Sequence, residues 1–233
     1  MTDIGLFEAI HTARSLRRYH DTPVPDALIT QVLDAAIRAP SGGNSQHWTF
    51  IVVRDPATRQ RLGAIYRKAA EEVSAIYAAR PRPTHLTEAQ YKSFLGSSAY
   101  LWEHMGDAPC ILVPCLKRRD MPPREALPAA VAARWDIHQA YQERIRGSSI
   151  YPAVQNIILA CRGLGLGTVL TTIASLYEDD LKETLGLPED IDTFALMPMG
   201  YPIHHHGPVT RRPVAEVAFA DRWGNAWGDA GEA

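Results

Sequence analysis

The sequence predicts one domain of mixed α and β class, and three observations carry that expectation. The stretch "VPDALITQVLDAAIRAP" (24–40) places Leu28, Val32, Leu33, Ala36 and Ile37 on one helical face behind Asp26, which is the pattern of an amphipathic helix. The run "WTFIVV" (48–53) is rich in β-branched and aromatic residues and reads as a buried strand. Helical and extended patterns of this kind alternate along 233 residues with no internal repeat, low-complexity tract or linker, so a single domain covers 1–233.

The remaining elements follow in order. Ile4, Phe7 and Ile10 have helical spacing within 3–13. A long helix is expected over 56–79, closed by "RPRPTH", and another over 88–106. "APCILVPCL" reads as a second strand. The segment 118–147 has paired prolines and mixed charge and reads as an insertion or lid rather than core. "SIYPAVQNIILACRGLG" is a strongly apolar helix, "GTVLTT" (167–172) a third strand, "YEDDLKETLGL" a short helix and "DTFALMPMGYP" (192–202) a fourth strand. The tail is expected as an extended arm carrying Trp223 and Trp227.

Composition narrows the function. A net charge of −2 gives no global attraction to nucleic acid or to an anionic membrane. No apolar run approaches the ~20 residues that span a bilayer. The N-terminus turns from acidic to basic, the reverse of a secretory signal, and the expected location is the cytoplasm. Cys110, Cys115 and Cys161 lie in apolar stretches, as buried free thiols of a reducing compartment would.

Several stretches invite a chemical reading. "APSGGNSQHW" (39–48) offers amides, hydroxyls and a carboxamide with little bulk, which suits close approach to a flat or anionic ligand and equally suits an ordinary loop after a helix stop. "ARSLRRYH" supplies Arg14, Ser15 and Arg17, and "TRRP" (210–213) supplies further arginines; each is a phosphate fork or a solvated basic patch. In an extended segment Arg14 and Arg18 face away from Arg17. "GLGLG" (163–167) follows a helix and precedes a strand, the reverse of a dinucleotide fingerprint, so its glycines read as a helix cap and tight connection. "HHH" (204–206) lacks neighbouring ligands at metal spacing and reads as a solvated loop; no metal site is expected. No paired-cysteine motif or serine elbow is present, and an apolar strand blunts Cys115 as a nucleophile.

Together, "RSLRRY", "APSGGNSQHW", "QNIILACRGLGLGT" and "MGYP…RRPVAEV" resemble the nitroreductase family in order and register over roughly 8–225. The resemblance implies an α+β fold with a central mixed or antiparallel sheet wrapped by helices, in an intertwined homodimer with FMN at the subunit interface. It implies hydride transfer from NAD(P)H through flavin N5 to a nitroaromatic, quinone or similar small oxidant by ping-pong turnover, with no catalytic side chain beyond the flavin. By match to the family motifs, Arg14, Ser15 and Arg17 would hold the flavin phosphate, ribityl chain and pyrimidine edge, with Arg211 as a second phosphate arginine. Pro40, Ser41, Gly42 and Asn44 would come from the opposite subunit, having nothing to contact in their own. Ser149 matches a polar position near the flavin. Leu170, Thr171 and Thr172 match the strand end beside the ring, with the Thr172 amide as a donor to N5.

Two departures stand out: Ala13 where a basic residue is common, a contact Arg212 would replace, and His47 where a proline is common, read as a structural histidine. Tyr91, Tyr100, Trp102 and the 118–147 segment are the candidates for covering the open face of the ring. A dehalogenating or flavin-fragmenting relative and a non-enzymatic flavin store are the alternatives. Glu88, Tyr91 and Lys92 resemble a zwitterion clamp but read as an exposed helix face.

Overall fold

The computed structural model describes residues 4–228. Strands β1 (Trp48–Val53), β2 (Cys110–Lys117), β3 (Gly167–Thr168), β4 (Ile191–Thr193) and β5 (Met197–Gly200) form an antiparallel sheet ordered β1-β2-β5-β3, with β4 also on β2. The helices are α1 (Leu6–Thr12), α2 (Asp26–Ala36), α3 (Pro56–Ala78), α4 (Glu88–His104), α5 (Ala129–Ala132), α6 (Trp135–Ile145), α7 (Ile150–Gly163) and α8 (Glu178–Leu185). The expected α+β class and helix-wrapped antiparallel sheet are what the chain adopts.

The period of two along β2 makes both layers. Cys110 and Leu112 face α2 and α7, where Val32, Ala36, Ala153, Val154, Ile157 and Cys161 fill one core. Ile111, Val113 and Cys115 face the opposite way, onto Leu62, Tyr66, Leu101 and Leu181 from α3, α4 and α8. Local chemistry starts the long helices: Asp55 caps α3 by accepting from the Thr58 amide at 2.7 Å, and Thr87 with Gln90 forms a reciprocal capping box on α4. Gly63 lets α3 rest on the turn at Met105–Asp107, since a Cβ there would meet the Gly106 nitrogen at 2.9 Å.

Two expected strands are shorter than their sequence pattern. Only Gly167 and Thr168 of the 167–172 run pair in the ladder, and Thr171 rejoins through an isolated bridge to Leu196. Leu166 to Val169 are buried consecutively, so no alternation holds the run on one sheet edge. The 192–202 run is two strands, broken at 194–196. Pro114 explains the break. Its carbonyl accepts from Phe194 at 2.9 Å, so its nitrogen faces the same gap, and that nitrogen carries no hydrogen to pair there.

The 118–147 segment contains a short turn of helix at Arg124–Ala126, then α5 and α6, in neither of which a residue is buried. The tail is not an extended arm. It folds back through a Phe219–Ala226 bridge, with the Trp227 amide donating to Ala218 at 3.1 Å, and leaves Trp223 and Trp227 exposed. No helix among the described residues is long and apolar enough to cross a membrane.

Candidate functional site

α2 and α7 set the exit of the bare loop. They pack against each other, and the Asn156 amide of α7 donates to the Ala35 carbonyl at the end of α2 at 2.9 Å. Beyond it, Gly42–Asn44 makes one tight turn, with Gly43, Asn44 and Gln46 in the left-handed region at φ of 60°, 51° and 49°. The loop binds itself: Ser41 Oγ accepts from the Gln46 amide, and Asn44 Oδ1 accepts from Gln46 Nε2, both at 3.1 Å. The Gly42 amide donates to Ser149 Oγ, which joins two expected site residues and corrects the expectation that this loop touches nothing in its own chain. Pro40, Gly42 and Asn44 remain exposed.

A second cluster forms where the arginine motif meets β3. The Leu16 amide donates to the Thr168 carbonyl at 3.1 Å, and buried Leu16 packs on Gly167. Arg14 and Ser15 are exposed, whereas Arg17 is half-buried with Nη1 on Ser97 Oγ at 3.3 Å. Among the described residues Arg17 has no carboxylate partner. Its titratable neighbours are the neutral phenols Tyr66 and Tyr19 and the cation Arg14, and burial lowers its pKa. Arg18 lies over the Tyr100 ring at 3.7 Å, so Arg17 and Arg18 both reach α4 despite their opposite expected directions. Thr171 exchanges both backbone hydrogen bonds with Leu196, while the exposed Thr172 amide has no acceptor among the described residues. Leu170 is exposed beside them. Tyr66, buried on α3 with burial pushing its pKa up to about 12, adjoins Thr171 and Arg17.

Arg211 is exposed, with Nη1 on the Thr210 carbonyl at 2.8 Å. The Gln90–Thr210 contact at 3.5 Å puts this segment beside the start of α4. Ser97, the partner of Arg17, lies about 10 Å further along the same helix at the ordinary rise per residue. The described structure thus lines Arg211 and Arg17 along α4 without joining them. Arg14 stands apart from the bare loop. Arg162, at the C-terminal end of α7, binds Thr12 at 2.8 Å, while Ser149 precedes the N-terminal end about 20 Å away by helix length.

The cysteines are buried and free, with burial raising Cys110 to about 11 and Cys115 and Cys161 to about 12, so none is a thiolate nucleophile at neutral pH. Gly165, at φ 74°, closes α7 as the cap reading requires. The histidine run is not wholly solvated. His206 is half-buried with Nε2 on the Leu166 carbonyl at 2.9 Å, and burial lowers its pKa, which makes Nε2 the donor of a neutral ring. Trp102 packs half-buried against the core behind α4, and Tyr91 stacks on Phe94. Glu88 and Lys92 are exposed, as a solvated helix face requires.

One feature had no sequence signal. A cavity of about 500 Å³ opens between the 42–47 loop and α6, with His47 and Ser149 in its lining, Trp135 and Phe194 as its aromatic surface, and Arg118 and Arg146 on one wall. Those two arginines and Lys182 converge on Asp192, whose carboxylate is 7% exposed and is held well below the usual range by its three cations. The four residues are dispersed between 118 and 192, and no local spacing connects them. Tyr66 and Ser97 were equally hidden, because each reads as an ordinary helix position.

The nitroreductase family profile matches residues 10–201. The chain is 30% identical over 212 residues to an NADH dehydrogenase of Thermus thermophilus, covering 88% of this chain and 91% of that protein. It is 29% identical over 206 residues to the nitrobenzene nitroreductase of Ectopseudomonas oleovorans, covering 83% and 85%. Among solved structures, a protein described as a nitroreductase in complex with FMN, from Desulfovibrio desulfuricans, superposes with a TM-score of 0.61 at 26% identity, covering 95% of this chain and 99% of that one. With a family profile matched over most of its length and relatives covered nearly end to end, the chain belongs to the nitroreductase family of oxidoreductases.

Proposed function

We propose that two copies of this chain bind FMN between them and oxidise NAD(P)H at the expense of a nitroaromatic, quinone or similar small oxidant. One observation carries the reading: Arg17 is a half-buried cation with no carboxylate partner among the described residues. Burying an unpaired guanidinium is costly, and an anionic ligand relieves that cost. Arg14 and Ser15 stand exposed beside it, and the Thr172 amide is an unused donor on the same edge. This donor set suits a flavin phosphate and an electron-rich ring edge.

Bound FMN supplies the hydride relay itself, accepting two electrons from the nicotinamide and passing them to the oxidant in alternation. The chain's own residues bind and orient. Arg17 places positive charge where negative charge develops on reduction. Arg14, Ser15 and Arg211 anchor the phosphate and ribityl groups, and Leu170 and Thr171 fix the strand end that presents the Thr172 amide. Pro40, Ser41, Gly42 and Asn44, with Ser149, offer a surface of little bulk to a flat ring.

Placement supports the pairing of two chains. Arg14 and the bare loop lie near opposite ends of α7, and in this reading the loop that completes one flavin site comes from a second copy. Leu6, Phe7 and Ile10 on α1 and the tail tryptophans are exposed apolar surface that pairing would cover. The 118–147 segment, α6 above all, is the lid in this reading, which its residues in the cavity lining support. The test is an absorbance spectrum of the purified protein, which should show bound flavin that NADH or NADPH bleaches without oxygen. A colourless protein, a flavin that neither nicotinamide reduces, or a monomer holding flavin at full occupancy overturns the reading.

A further inference from the structure

The cavity beside the bare loop has a definite chemistry, and we propose that it admits the oxidant and selects a planar aromatic ring carrying a carboxylate. The proposal rests on the flavin reading above and adds a substrate class to it. The cavity is joined to that site by Gly42 and Ser149, which line it and are hydrogen-bonded to each other. Its volume of about 500 Å³ lies within the range of small-ligand sites and is ample for one substituted ring. Trp135, Phe194 and Met121 give that ring apolar contact.

The arginines of the lining supply directed donors, with Arg146 itself 5.9 Å from the centre of the Phe194 ring. Arg118 spends Nε and Nη2 on Asp192 and on the Glu189 carbonyl, and has no hydrogen bond from Nη1 among the described residues. Arg146 spends Nη2 on Asp192 and holds Nη1 at 3.7 Å from Glu143, beyond hydrogen-bond reach. Arg119, also in the lining, makes no ion pair or hydrogen bond among the described residues. Asp120 and Glu143 line the same space, so the wall is no uniform field of positive charge. What distinguishes it is a set of unspent guanidinium N–H groups, with Asp192 buried beneath them and fixing two of the three arginines. A carboxylate takes up such donors in paired, planar fashion, whereas a neutral ring leaves them unused.

The pair 4-nitrobenzoate and nitrobenzene probes this directly, because they differ in the carboxylate alone. Reduction of either balances as Ar–NO₂ + NAD(P)H + H⁺ → Ar–N=O + NAD(P)⁺ + H₂O. Binding to the oxidised, flavin-loaded protein is measured calorimetrically without reductant, so it reads recognition and not turnover. We expect 4-nitrobenzoate to bind at least about tenfold more tightly than nitrobenzene, as one charge-assisted hydrogen bond allows. Arg119→Gln should remove most of that ratio, and Trp135→Ala should weaken both ligands. Equal binding of the two compounds, or a ratio unchanged in Arg119→Gln, overturns the proposal. So does an Arg119→Gln variant that loses affinity for the nicotinamide dinucleotide and not for 4-nitrobenzoate, since the arginine then reads dinucleotide phosphate. A protein that carries flavin and is bleached by nicotinamide, yet fails these tests, leaves the functional reading standing; one without reducible flavin fails the functional reading itself.

Discussion

The Gly42 amide and the Ser149 hydroxyl meet at 3.2 Å across 107 residues of sequence, tying the bare loop to the start of the central apolar helix. Ser149→Ala removes the acceptor and leaves the amide to water, at a cost of about 0.5–1.5 kcal/mol. If that contact holds the loop for a ligand, flavin affinity falls about twofold to tenfold with little change in melting temperature. Flavin release from wild type and variant, followed by fluorescence, decides it; equal release shows that the loop holds its shape without Ser149.

Arg17 is the half-buried cation and Arg14 the exposed one, so their replacements should separate. Arg17→Gln should lower the flavin's reduction potential, because a positive charge near the ring favours the anionic reduced form. At an effective dielectric near 20 the charge contributes about 1–3 kcal/mol, or roughly 20–65 mV for a two-electron couple. Arg14→Gln should weaken binding and move the potential less. Spectroelectrochemical titration of both variants checks the contrast, and a larger shift in Arg14→Gln reverses the two roles.

In the tail, Arg211→Ala should release flavin about tenfold more readily than Arg212→Ala, as expected for losing one charge-assisted phosphate contact. Equal effects, or Arg212 dominating, move the register by one residue and give Arg212 the place that Ala13 leaves open.

Asp192 makes a stability prediction with a definite pH sign. Its cations hold the folded-state pKa below that of the unfolded chain, so the stabilisation is complete above the ordinary carboxylate value of about 3.9 and is lost as pH falls through the folded value. Asp192→Asn leaves three cations facing one another. The cost should be about 2–3 kcal/mol at neutral pH, less than for a fully buried pair because the two arginines are 41% exposed. Urea denaturation of wild type and variant from pH 7 to pH 3 tests this: the gap should be widest at neutrality and narrow with acid. A gap independent of pH assigns the effect to packing.

Where the pattern in the sequence is local, it was legible. The apolar stripe of "DALITQVLDAA" forms a helix with one buried face, and the apolar runs "WTFIVV" and "CILVPC" form the strands their composition specifies, the second buried on both faces. The misread segments are set by distant parts of the chain as well. Thr168 and Val169 are buried side by side, and the break before Leu196 is imposed by Pro114, some eighty positions earlier. The site divides in the same way. Arg17 and the Gly-Gly-Asn loop stand out as candidates in the sequence because short motifs carry them. Tyr66, Ser97 and the cations around Asp192 were missed because only folding brings them together, and nothing in the neighbouring sequence marks them.

The turn at Gly43, Asn44 and Gln46 has a consequence for ligand exchange. Two residues other than glycine hold positive φ there, a conformation costing about 1–2 kcal/mol for a typical side chain and less for Asn. The hydrogen bonds within the loop and the one to Ser149 sustain that shape from within the chain. Association therefore need not freeze this segment, and departure need not thaw it. Protein stripped of flavin should therefore take it back without a slow rearrangement at this edge, at a rate set by shedding water from the ligand.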